Sequence, residues 1–181
     1  MNGLDVIKKD IPWNLLILFI TNNYSNVRIS PVYTLSAILA VCLFLSSCAG
    51  GRAKKADAVI QTARSYTGVP YKYGGTTRAG MDCSALLYHS YGSINIKLPR
   101  TSEQQAKEGK RVALHELRVG DLVFFATGKK RRQITHAGIV TSVKGRNDVR
   151  FIHASTSLGV TESNLYSDYY KKRFRKARRV L

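Results

Sequence analysis

The hydrophobic period of this chain changes near Gly109, and that change constrains the fold more than any other feature. Before it, apolar residues recur at helical spacing: Val59, Ala63 and Tyr66 mark a helix over Ala56–Tyr66. Gly68–Gly75 reads as a loop punctuated by Gly and Pro. Asp82 is a good N-cap for a second helix that runs to about Tyr91 and stops at Gly92. A third follows Leu98-Pro99-Arg100, where Thr101 and Ser102 each have a Gln three residues later, as in a capping box. After Gly109 the pattern alternates. Asp121–Phe125, His136–Val143, Val149–Ala154 and Ala177–Leu181 read as strands separated by polar, Gly-bearing turns, and Tyr169–Arg175 as a last helical turn. Helices first and strands second give an α+β fold, with N-terminal helices packed on a C-terminal antiparallel sheet of about five strands. A length of 181 residues suits one such domain plus a short extension.

The extension is the first 48 residues. Leu35–Leu45 is an apolar run of signal-peptide size, too short to span a bilayer. It leads into Leu45-Ser46-Ser47-Cys48, which resembles a bacterial lipobox. In that pattern Cys48 becomes the lipidated first residue of the mature protein. Ala49 follows the cysteine, which favours the outer membrane over the inner and a protein facing the periplasm. One acyl chain binds a membrane weakly, so stable anchoring needs more than one. The apolar patch at Ile11–Ile20 lies far upstream of an ordinary signal peptide, which points to translation starting at Val27, with Arg28 as the positive n-region. Residues 49–56 then form a polar tether ahead of a domain over 57–181.

Export sorts the three cysteines. Cys42 leaves with the signal peptide, Cys48 carries lipid, and Cys83 remains a lone thiol in an oxidising compartment. Cys83 follows the proposed cap Asp82, so it sits in a first helical turn, where backbone amides lower a thiol pKa and can hold an oxyanion. His136 stands where a loop enters a strand, placed to act as a base. His153 lies on the next strand. If those strands pair as a hairpin, His153 reaches the far nitrogen of His136 and fixes its tautomer. This is the constellation of a cysteine hydrolase. No compact pair such as C-x-x-C supports a zinc site, and no metal or cofactor is expected. His89 and His115 read as surface residues.

The net charge of +18 draws the chain towards polyanions. An exported lipoprotein rarely meets nucleic acid, so the runs Lys129–Arg132 and Lys171–Arg179 read as a solvated face attracted to anionic wall or lipid.

Seven pieces in order resemble the NlpC-type cell-wall endopeptidases, a bacterial branch of the papain-like cysteine peptidases. They are Pro70–Gly75, Asp82–Leu86, Leu98–Arg100, Gly120–Phe124, His136–Val140, Phe151–Ser155 and the terminal Ala177–Leu181. Ala85 stands where the family usually has Gly. The resemblance implies a papain-like fold, with Cys83 as nucleophile, His136 as base and His153 as the orienting third member. It implies that the Tyr71 hydroxyl helps hold the oxyanion, and that Asp82 and Ser84 hold the free amine of a substrate peptide. The implied partners are peptidoglycan peptides, reached from a membrane through lipidated Cys48, by a monomer. The implied bond is D-γ-glutamyl–diaminopimelate or diaminopimelate–D-alanine. The competing readings are a non-catalytic wall-binding lipoprotein and an amidase or acyltransferase using the same thiol.

Overall fold

The computed structural model describes residues 50–181. The signal peptide, the Val27 start and the lipidation of Cys48 lie outside the described residues. Residues 50–64 form helix α1, so Gly50–Lys55, expected as a tether, are already helical. Val59, Ile60 and Ala63 form its buried stripe. The loop that follows contains a two-residue hairpin, β1 (Thr76–Thr77) and β2 (Gly80–Met81), too short to carry a period signal.

Helix α2 (Cys83–Gly92) comes next, then one turn, α3 (Ser102–Gln105), capped by the Thr101 side chain. The strands are β3 (Lys110–Val112), β4 (Leu122–Phe125), β5 (His136–Gly145), β6 (Asp148–Ser155), β7 (Gly159–Asn164) and β8 (Phe174–Arg179), with α4 (Asp168–Arg173) before the last. They form one six-stranded antiparallel sheet in the order β3-β8-β4-β5-β6-β7. The α+β layout is as expected. The strands absent from the expected set are β3 and β7, short and polar elements at the two edges of the sheet.

Alternation along the strands gives the sheet two faces. Leu122, Phe124, Ala137, Ile139, Ile152 and Ala154 pack against α1 and α2, meeting Val59, Ala63, Leu86, Leu87 and Tyr91. Val123, Phe125, Val140 and Phe151 face the other way. That second face is covered too, by Leu165, Tyr166, Tyr170 and Phe174 from the segment around α4. Ala85 is fully buried in the helix-side core, so the methyl group that replaces the family glycine is packed rather than merely tolerated.

Part of the basic C-terminal run is structural, against the expectation of a solvated face. Arg179 grips the fully buried Asp121 carboxylate at 2.8 and 2.7 Å, and Arg178 Nε donates to the Ala106 carbonyl at 2.8 Å. A buried carboxylate in this position needs a cation. Lys129–Arg132 are exposed, as expected.

Candidate active site

The site begins with the cap of α2. Asp82 has extended backbone, and its Oδ1 accepts the Ala85 amide at 2.8 Å. Cys83 is therefore the first residue of the helix. Its own amide and that of Ser84 favour the thiolate, as does the amide of Ala137 at the start of β5. Burial opposes all three. Cys83 is only 5% exposed, and desolvation pushes its thiol up to about 11. The sequence predicts a thiol lowered by the helix N-terminus. The structure gives the opposite direction, because removing the sulfur from water costs its charged form more than the amides return.

His136 opens β5, paired in register with Phe125 of β4. Ala137, whose amide meets the thiol, belongs to the helix-side core and directly follows His136 in the strand. The His136 Nε2 lies 3.0 Å from His153 Nδ1, with the two rings edge-on. This leaves Nδ1 of His136 as the nitrogen available to a thiol. β5 and β6 pair antiparallel, the hairpin arrangement on which that contact depends. Desolvation pushes His136 down to about 4, and desolvation followed by the charge of His136 pushes His153 down to about 3. Both imidazoles are thus neutral at pH 7. Gly138 lets the strand pass the Phe151 ring, which stacks on His153 with centroids 4.8 Å apart. A Cβ at Gly138 would come within 2.5 Å of that ring.

The second nitrogen of His153 has partners that the sequence did not reveal. Nε2 lies 3.0 Å from Ser163 Oγ and 3.2 Å from the Tyr170 hydroxyl. Ser163 stands opposite Phe151 in β7, which puts it diagonal to His153. Tyr170 comes from α4. Neither segment carries a motif, and β7 has no apolar alternation, so only the pairing of β6 with β7 exposes Ser163.

Tyr71, Asp82 and Ser84 line one cavity with Cys83, of about 390 Å³. Tyr71 bridges to Met81, beside the cap, and desolvation raises its hydroxyl pKa, with the Cys83 and Asp82 charges adding to the rise. The phenol stays protonated and can donate. Asp82 and Ser84 are held by Arg100, the last residue of the Leu98–Arg100 motif. Its Nη1 and Nη2 donate to Asp82 Oδ1 and Oδ2 at 3.0 and 2.7 Å, and Nη1 also donates to Ser84 Oγ at 2.8 Å. Gly74, with φ +70°, donates its amide to Asp82 Oδ2 at 3.1 Å. Hydrogen bonding to Arg100 leads the causes that hold the Asp82 carboxyl below its usual range, against the desolvation that would raise it. His89 is half-buried and contacts the Thr76 carbonyl at 2.9 Å, whereas His115 is exposed.

Residues 68–179 match the NlpC/P60 family model. The chain is 37% identical to the Escherichia coli (strain K12) protein named "Probable endopeptidase NlpC", a match covering 79% of this chain and 97% of the relative. It is 42% identical to "Murein DD-endopeptidase MepS/Murein LD-carboxypeptidase" of the same organism, covering 64% of this chain and 58% of that protein. Among solved structures it resembles an NlpC/P60 family protein from Bacillus cereus ATCC 10987, with a TM-score of 0.62 and 30% identity over 68% of this chain and 39% of the other. The match spans the capped Cys83 helix and both histidine strands, and the chain belongs to the NlpC/P60 family.

Proposed function

We propose that this protein is a lipid-anchored cysteine endopeptidase that hydrolyses peptidoglycan stem peptides or their cross-links, at a D-γ-glutamyl–diaminopimelate or a diaminopimelate–D-alanine bond. The observation that carries the reading is the 3.0 Å contact between His136 Nε2 and His153 Nδ1, beside a thiol at a helix N-terminus. The names of the two relatives, endopeptidase and murein endopeptidase, support the substrate class.

Neither the thiol nor the imidazole ionises alone in this setting. Passing the Cys83 proton to His136 Nδ1 creates both charges together, so their attraction and the amides around the sulfur offset the loss of water. In that state His136 carries a proton on each nitrogen. Its Nε2–H donates to His153 Nδ1, which must then be a lone pair, and His153 Nε2–H donates to Ser163 or Tyr170. The thiolate attacks the carbonyl carbon. The amides at the start of α2 and the Tyr71 hydroxyl stabilise the oxyanion. His136 returns the proton to the departing amine, leaving a thioester on Cys83. Water, deprotonated by His136, then releases the acid.

Digestion of purified muropeptides, with products weighed by mass spectrometry, tests the reaction and identifies the bond. Wild type is expected to cut and Cys83→Ala is not. Equal cutting by both ends the claim for Cys83. Anchoring at Cys48, outer-membrane location and the Val27 start belong to the same proposal. A Cys48→Ala protein that still partitions with membranes, or a precursor retaining residues 1–26, overturns the corresponding part.

A further inference from the structure

Cys83, His136 and His153 form a chain whose hydrogen bonds can run in either of two directions. In one, every proton points away from the thiol: His136 Nε2–H donates to His153 Nδ1, and His153 Nε2–H donates outward. His136 Nδ1 is then a lone pair, free to take the thiol proton. In the other, His153 Nδ1–H donates to His136 Nε2, and the proton kept on His136 Nδ1 blocks the base. The 3.0 Å contact between the rings is the same in both. The histidines therefore do not choose between the two directions; the groups at His153 Nε2 do. His153 is fully buried, so water does not make the choice either.

Two hydroxyls meet that nitrogen, Ser163 Oγ at 3.0 Å and Tyr170 Oη at 3.2 Å. A single hydroxyl either donates or accepts and would leave the direction open. A pair does not. Desolvation raises the Tyr170 pKa, and a hydrogen bond from Ser163 opposes that rise. With its proton committed to the phenol oxygen, Ser163 turns only lone pairs towards His153 Nε2, which must therefore carry the hydrogen. The phenol proton is left to the cavity that Tyr170 lines. We propose that Ser163 and Tyr170 are a positioning pair that sets the tautomer of His153 and, through it, leaves Nδ1 of His136 as the lone pair that faces Cys83. The consequence for catalysis rests on the peptidase reading above; the tautomer rests on the hydrogen bonds. Among the described residues no carboxylate shares the task. Glu162, next to Ser163, pairs with Ile152 on the helix side of the sheet and binds Arg64 at 2.9 Å, and Asp168 is exposed at the start of α4. Phe125 and Phe151 hold the Tyr170 ring edge-on, with centroids 5.3 and 4.9 Å away, which keeps the phenol oxygen at His153.

Ser163→Ala frees the phenol O–H to turn and donate to His153 Nε2, which reverses the chain. In that variant kcat should fall by roughly tenfold, the worth of about one hydrogen bond, with KM unchanged. Ser163→Thr, which keeps the hydroxyl, should recover most of the loss. Adding Tyr170→Phe to Ser163→Ala removes the wrong donor, so the double variant should be faster than Ser163→Ala, whereas a purely structural role would make it slower. Near-UV circular dichroism checks that each variant folds. A double variant no faster than Ser163→Ala, or Ser163→Ala with the kcat of wild type, overturns the proposal. Imidazole nitrogen NMR of substrate-free protein at pH 7 reads the tautomer directly. In wild type His136 should carry its proton on Nε2, and in Ser163→Ala on Nδ1. A proton on His136 Nδ1 in wild type, or the same tautomer in both proteins, overturns the proposal. The expected tautomers together with no cleavage of any muropeptide by wild type would overturn the peptidase reading and leave the tautomer assignment standing.

Discussion

Arg100 holds both oxygens of Asp82, at 3.0 and 2.7 Å, and so braces the residue that caps the helix carrying Cys83. The same guanidinium reaches Ser84, on the other side of the nucleophile, at 2.8 Å. The two residues flanking the thiol are thereby fixed by one side chain from a separate loop.

Removing that brace should cost both stability and activity. Asp82→Ala loses the cap and strands Arg100, an expected loss of about 1–2 kcal/mol. Arg100→Leu should cost less, because Arg100 is 38% exposed and the pair is partly screened. Both should lower kcat/KM by roughly tenfold or more by loosening the start of α2. Urea melts and muropeptide digestion measure the two effects. Full activity in both variants would show that the brace does not position Cys83.

The two histidines should differ in what they tolerate. His136→Ala removes the base and is expected to lower kcat by about 10³-fold or more, whereas His153→Asn keeps a hydrogen-bonding group where Nδ1 faces His136 and should fall by roughly tenfold. Equal losses in two folded variants would contradict this division of roles.

Cys83 alkylation reports on the pair directly. With burial holding the lone thiol up at about 11, its reactivity at neutral pH depends on His136 taking the proton. In His136→Ala the iodoacetamide rate should drop by about tenfold at pH 7 and climb steadily towards pH 11. Superimposable pH profiles for wild type and variant would rule out proton transfer between the two residues.

Stability should fall at both ends of the pH range. Burial depresses His136 to about 4 and His153 to about 3, from an ordinary 6.5. As pH drops below 6.5 the unfolded chain binds protons that the folded chain refuses, so stability is lost on acidification towards pH 4. Cys83 is raised from 9.0 to about 11, so the unfolded chain loses its proton first and stability falls again between those values. Thermal melts should show a Tm lower by several degrees at about pH 4.5 than at pH 7. The acid limb should flatten in a protein carrying His136→Gln and His153→Gln together. An equally steep limb in that protein would place its cause elsewhere.

Replacing Ala85 by the family glycine tests the local packing. Its methyl group is fully buried in a helix, so Ala85→Gly should cost about 1 kcal/mol and leave the chemistry intact. A more stable glycine variant would mean that the methyl is strained.

What could be read in advance follows local rules. The Asp82 cap was visible because a short side chain accepts the amide three residues on and closes the turn that follows it. The β4, β5 and β6 strands were visible because their apolar residues alternate over long enough runs. β7 was not, since Gly159–Asn164 offers only Val160 as an apolar residue and owes its form to β6. The first turns of α1 carry Gly50, Gly51 and a pair of lysines, a composition that suggests a linker, yet the helix extends through them.

The sequence by itself determined the α+β order, a thiol at a helix start and the two strand histidines, because capping and alternation act over a few residues. Tertiary structure decided the rest. It put His153 Nδ1 at 3.0 Å from His136, gave its other nitrogen to Ser163 and Tyr170, assigned Arg100 to Asp82, and turned Arg179 inward to Asp121. It also reversed the direction of the thiol's pKa, since desolvation depends on everything packed around a group and not on its neighbours in the chain.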